Sequence, residues 1–271
     1  MAVRRPLLTA LAAFLLLAGN APASPGESCL NCHPRHYREL GSCVGCHGGD
    51  PRSERLRIAH HDLVAGRFSW HGITGSLPVL RGNKLLEGFA CRRCHTTAGK
   101  GNRLASNLDR LPAGTTPADL FRSINSPALM MPGFRLEEGA ATDLVNAILA
   151  GAGQSGRKGR ETPQVVHFES AKAGSGNIFE KKCGGCHKML TAAVGALGKG
   201  EIGPNLSGLL SEFYPATAAG KKRWSAGSLE KWLDNPRQSR PMTQMRPVQL
   251  QKEERARLLV LLADAPAVPV R

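Results

Sequence analysis

Every cysteine in this 271-residue chain belongs to one of four copies of the pattern Cys-x-x-Cys-His, and none is left over. The copies are Cys29-Leu30-Asn31-Cys32-His33, Cys43-Val44-Gly45-Cys46-His47, Cys91-Arg92-Arg93-Cys94-His95 and Cys183-Gly184-Gly185-Cys186-His187. Each copy puts two thiols and an imidazole on one turn of chain. Four such donor sets constrain the fold more tightly than any hydrophobic period in the sequence.

Paired Cys-x-x-Cys units with histidines also bind zinc, and cysteine-rich exported chains form disulfide frameworks. A histidine directly after the second cysteine in all four copies fits covalent haem c better. Each thiol adds to one vinyl group, on opposite edges of one porphyrin, and the histidine reaches its centre as the proximal iron ligand. The pattern predicts four covalent haem c groups held by Cys29, Cys32, Cys43, Cys46, Cys91, Cys94, Cys183 and Cys186. His33, His47, His95 and His187 are then the proximal ligands. No disulfide and no metal other than haem iron is expected.

The N-terminus reads as an export signal: basic Arg4-Arg5, an apolar run from Leu7 to Ala18, then Ala21-Pro22-Ala23. The run is short for a membrane span, so residues 1–23 are expected to be removed near Ala23 and the protein to work in the periplasm, where haem c is attached. The formal charge is +15 with a pI near 10.0. Two propionates per haem offset part of that charge, which leaves a moderately basic surface suited to acidic or membrane-bound redox partners. Export and haem argue against the nucleic acid that a basic chain otherwise suggests.

The proximal histidines lie 14, 48 and 92 residues apart. Two haems attached 14 residues apart must nearly touch; the later two each have room for a module. The expected layout is a loop-rich dihaem module over 24–76, a monohaem module over 77–152, a linker over 153–171 and a second monohaem module over 172–271. Gly151 to Gly159 reads as linker by composition. Helical patterns close both monohaem modules, at Leu144, Val145, Ile148 and Leu149 and at Leu258, Leu259, Leu261 and Leu262. Aromatic residues are only 5% of the chain, so porphyrin must supply apolar bulk.

The last module resembles a class I cytochrome c domain. The residues that carry the likeness are Gly174, Ile178 and Phe179 ahead of the motif, Gly203-Pro204-Asn205-Leu206-Ser207-Gly208, Trp232-Leu233, Asn235-Pro236 and Met245-Arg246-Pro247-Val248. Arg246 stands where the family usually has proline. The third module is similar in outline, with Met131-Pro132-Gly133-Phe134 and a closing helix, but lacks the Gly-Pro-Asn-Leu segment. The N-terminal module resembles multihaem cytochromes in general. The implied fold is mainly α: two class I-like helical modules and a small loop-rich dihaem module.

The second axial ligand decides between carrying electrons and binding small molecules. Met131 and Met245 each follow a haem histidine within one module, in a proline-containing segment, and are the candidates for the third and fourth haems; Met130 and Met242 compete. Met189, two residues past His187, reads as core filling. Four spare histidines crowd the head. His36 points away from its own haem and could reach the second; one of His60, His61 and His71 completes the first, with His60 favoured. His167 reads as surface. With candidates for every site, the expected function is a periplasmic tetrahaem electron carrier without a catalytic centre. The alternatives are a multihaem oxidoreductase acting on peroxide, a nitrogen oxide or a sulfur compound, and the haem subunit of a membrane quinol-oxidising complex.

Overall fold

The computed structural model describes residues 28–112, 114–128, 130–154 and 177–265. The export signal, His167, Gly174 and most of the linker lie outside them. The described chain is mainly helical, and no helix in it is long and apolar enough to cross a membrane.

The head, residues 28–64, is a string of short turns. They are 3-10 turns at Ser28–Asn31 and Arg38–Leu40, helix α1 at Cys43–His47 and helix α2 at Leu56–Ala59. Ser42 caps α1 by accepting from the Gly45 amide. Backbone bonds from Asp50 to Ala59 (3.0 Å) and from Val64 to His47 (2.6 Å) fold α2 back over α1. Gly49 permits that return: its φ is +83°, and a Cβ there would lie 2.5 Å from the Ala59 carbonyl. Among the described residues, the first buried side chain along the chain is Phe68.

The middle module is built on helix α3 (Leu77–Gly88), helix α4 (Pro117–Asn125) and helix α5 (Glu138–Gln154). Thr116 and Asp119 form a reciprocal capping box at the start of α4. Helices α3 and α5 pack so closely that a Cβ on Gly82 would fall 2.0 Å from the Asp143 carbonyl. Arg81 clamps Asp143 in two hydrogen bonds of 2.6 and 2.9 Å. The core joins Leu86, Leu120, Ile124, Leu144, Val145 and Ile148 to Phe68, from the 3-10 turn Gly66–Gly72. Asn146, fully buried on α5, accepts from the His71 amide (3.0 Å) and donates to the Arg67 carbonyl (2.9 Å).

Two expected boundaries therefore move. The stretch from Gly66 packs with the middle module, because burying Phe68 against α5 outweighs its nearness in sequence to the head. The glycine-rich start of the expected linker, Gly151 to Gln154, continues α5 instead. Gly151 and Ala152 are buried, and a Cβ on Gly151 would meet the Ala98 amide at 3.2 Å, so the small residue serves close packing there.

The C-terminal module begins with helix α6 (Ile178–Lys182), capped by the Asn177 side chain on the Phe179 amide. A hairpin follows that the sequence pattern does not announce, β1 (Met189–Thr191) antiparallel to β2 (Gly195–Leu197). Helix α7 (Ala226–Asp234), helix α8 (Pro236–Ser239) and helix α9 (Lys252–Ala263) complete it. Its core of ten buried side chains runs from Ile178 and Phe179 through Met189, Leu197, Leu229 and Leu233 to Leu258 and Leu262. Both closing helices form where the apolar pattern puts them.

Candidate functional site

At three of the motifs the motif histidine is oriented by a backbone carbonyl downstream. His95 Nδ1 bonds the Ser106 carbonyl at 2.8 Å, His187 Nδ1 the Pro204 carbonyl at 2.8 Å and His47 Nδ1 the Val64 carbonyl at 3.3 Å. A carbonyl only accepts, so Nδ1 carries the proton and Nε2 keeps its lone pair for a metal. The chain thus fixes the tautomer that an iron ligand needs.

The third motif opens on Ala90, which is in the left-handed region (φ +52°) after α3, and turns through Cys91–Arg93. Gly101 makes the return possible, since a Cβ there would lie 2.0 Å from the His95 carbonyl. Cys91, Cys94 and His95 line a cavity of about 440 Å³, within the range of small-molecule and cofactor sites. Met130, Met131, Leu120 and Ile124 line it as well, together with Ile148 from α5. Burial pushes the Cys91 thiol up to about 11 and raises Cys94 too, and burial lowers the His95 imidazole. A mostly apolar slot with two thiols and a neutral imidazole in its wall fits a porphyrin.

In the fourth motif the Gly203-Pro204 segment lies flat on the proximal ring: a Cβ on Gly203 would be 2.2 Å from His187. Burial raises the Cys183 thiol to about 11. Met245 is half-buried against the same core as Cys183, and the Trp232 indole N–H donates to its sulfur at 3.0 Å. Met242 is 89% exposed, turned away from that core, and Met189 is buried in β1.

The head brings its histidines together in two facing pairs. The His36 and His47 rings have centroids 5.7 Å apart, and those of His33 and His60 are 6.0 Å apart. Two imidazole nitrogens each about 2 Å from one metal would put ring centroids about 6 Å apart, so each pair could hold one. His61 instead faces solvent beside Asp62. His71 sits in the Gly66–Gly72 turn, tied by its amide to Asn146. Leu56, Ile58 and Leu63 are exposed on the bare head, at 70%, 44% and 50%. They offer apolar surface to a cofactor that the chain alone leaves uncovered.

Sequence reasoning missed three features. The orienting carbonyls of Ser106, Pro204 and Val64 are backbone groups with no residue signature. The Trp232 bond to Met245 was hidden, although both residues stand out in the sequence. So was a set of contacts across the last two modules: Arg93 to Asn205, Asn205 to Met130, and Asn102 to Ser211.

Compared with known proteins, residues 171–264 match the sequence profile of the family described as Cytochrome c. A cytochrome c of Stellaria longipes is 34% identical over 108 residues, spanning 35% of this chain and 92% of that protein. No solved structure matches the chain.

Proposed function

The chain belongs to the cytochrome c family through its C-terminal module, and from that premise we propose that the whole protein is a tetrahaem electron carrier of the periplasm. Covalent haem c supplies the one-electron redox chemistry. The chain's own residues hold the axial positions, exclude water and fix the spacing between centres.

The observation that carries this reading is the pairing of the head histidines, His33 with His60 and His36 with His47. One isolated cytochrome c domain would give no reason for four imidazoles to face each other in twos. With Met131 at the third centre and Met245 at the fourth, every iron has two protein ligands. Each is then low-spin and rearranges little on reduction, which suits a carrier. Methionine raises the potential relative to histidine, so the head is the low-potential end and the C-terminal module the high-potential end. Export with cleavage near Ala23, and basic-surface docking of acidic or membrane-bound redox proteins, complete the proposal.

A pyridine haemochrome assay against protein mass tests the haem count, with four expected per chain. Carbon monoxide tests the ligation: the reduced protein should not bind it appreciably at neutral pH. Rapid stoichiometric binding to one haem would mean an open site and would favour an enzyme acting on a small molecule.

A further inference from the structure

Asn205 belongs to the C-terminal module yet reaches into the middle one. It follows Pro204, whose carbonyl orients His187. Its Nδ2 donates to the Met130 carbonyl at 3.1 Å. Its own carbonyl accepts from Arg93 Nη1 (3.2 Å) and from the Tyr214 hydroxyl (3.1 Å). Its Oδ1 takes the Ser207 amide (2.9 Å) and hydroxyl (2.6 Å), which holds the carboxamide in one orientation with the N–H group aimed at Met130. Arg93 lies inside the third motif, and its guanidinium rests over the Tyr214 ring at 5.7 Å.

The segment that Asn205 grips needs such support. Residues 130–136 form no regular element; Met131 has a backbone bond to the Ala128 carbonyl at 3.2 Å. Met130 and Met131 both line the cavity of the third motif, and Leu190 of the C-terminal hairpin lines it too. One wall of the third centre is therefore made by the C-terminal module.

We propose that Asn205 is the positioning residue for the distal methionine loop of the third haem centre, and that it couples that loop to the segment orienting the proximal histidine of the fourth. The proposal rests on the reading of Met131, or its neighbour Met130, as the third centre's distal ligand. Asn205 touches no iron; it acts by pinning the Met130 carbonyl, which biases the loop toward the state with sulfur in place.

The test uses the full holoprotein with Met245→His, so that the sulfur-to-ferric-iron charge-transfer band at the red end of the visible spectrum reports the third centre alone. Exogenous imidazole then competes for that iron, and its apparent affinity reads the opening of the loop. Asn205→Asp keeps the shape and the acceptor for Ser207 but cannot donate to Met130. It should tighten apparent imidazole binding roughly fivefold, the worth of one hydrogen bond of about 1 kcal/mol. Ser211→Ala removes a different contact between the modules, the 2.8 Å bond from Asn102, and should leave the titration unchanged. Equal titrations for Asn205→Asp and its parent overturn the clamp. Equal shifts in Asn205→Asp and Ser211→Ala also overturn it, in favour of general loosening of the interface. A parent that already lacks the band removes the methionine ligation itself, and the clamp with it.

Discussion

Residues 28–64 carry two haem motifs and bury none of their described side chains, whereas residues 177–265 carry one motif and bury ten apolar side chains in a single core. The chemical unit is the same in both regions, but the scaffold around it differs. In the C-terminal module the cofactor site lies on a helical frame with its own hydrophobic interior. In the head, backbone bonds and the turn at Gly49 set the path of the chain, and Leu56, Ile58 and Leu63 face outward. A region of this size cannot bury enough of its own surface to fold unaided. On the proposed tetrahaem reading, porphyrin would act there as the core itself, with His33, His36, His47 and His60 drawing the segment shut around it.

The largest expected effect follows directly. If the head holds two haems as proposed, Cys43→Ser with Cys46→Ser would remove the second and should open the head as a unit, because His36 would lose the iron that holds it and the first haem its neighbour. Limited proteolysis read by mass spectrometry should then show new cleavage within 28–64, with 177–265 intact. An unchanged cleavage pattern would mean that the head does not depend on porphyrin. The matching change at Cys183 and Cys186 should leave the head's bis-histidine electron paramagnetic resonance signals in place.

Core truncation sharpens the same contrast. Leu258 is 1% exposed, and Leu258→Ala should cost about 2–5 kcal/mol in unfolding of the C-terminal module. Leu56→Ala, at a position 70% exposed on the bare chain, would cost under about 0.5 kcal/mol if it stayed in water. A measured loss well above that in the holoprotein would mean that a haem covers Leu56.

The same difference explains what could be read from sequence. The closing helices α5 and α9 were legible because each buries one periodic face. The end of the head was not legible. Phe68 lies between Val64 and Trp70 in a stretch with no clear helical or strand period, and only its fit against α5 assigns it to the middle module. Gly151 and Gly153 looked like linker because glycine carries both meanings, flexible chain and close packing, and composition cannot separate them. The partner of His47, His95 and His187 is a carbonyl, which every residue owns. The hairpin β1–β2 is too short to carry a period.

A smaller effect concerns the fourth centre. The Trp232 N–H donates to the Met245 sulfur; with Met245 as the proposed iron ligand, that bond would draw electron density from the thioether and weaken its donation to ferric iron. Trp232→Phe should therefore lower one midpoint potential, and by less than Met245→His, which supplies a stronger donor. Redox titration of both variants checks the order; four unchanged midpoints in Trp232→Phe would mean that the bond has no electronic role. The head sequence holds no methionine, so its midpoints should not move.

The smallest effect returns to the head. Two hydrogen bonds from the Arg52 side chain, at 2.9 and 2.7 Å, and one from its amide hold the Asp50 carboxyl down to about 2, well below its usual range. A carboxyl lowered in the folded state stabilises that state above its unfolded value of about 3.9 and ceases to do so as pH falls through about 2. Asp50 also begins the turn, and its amide bonds the Ala59 carbonyl, one residue before His60. Acidification from about pH 4 to pH 2 should loosen this turn and, with His60 holding the first haem as proposed, shift one head resonance signal. The ion pair is exposed, so the shift should be small and should shrink further in high salt. Asp50→Asn should remove this acid-dependent step while leaving the C-terminal centre's signal as it was. A step of the same size in Asp50→Asn would assign the acid sensitivity to another group and leave the head's turn without an electrostatic lock.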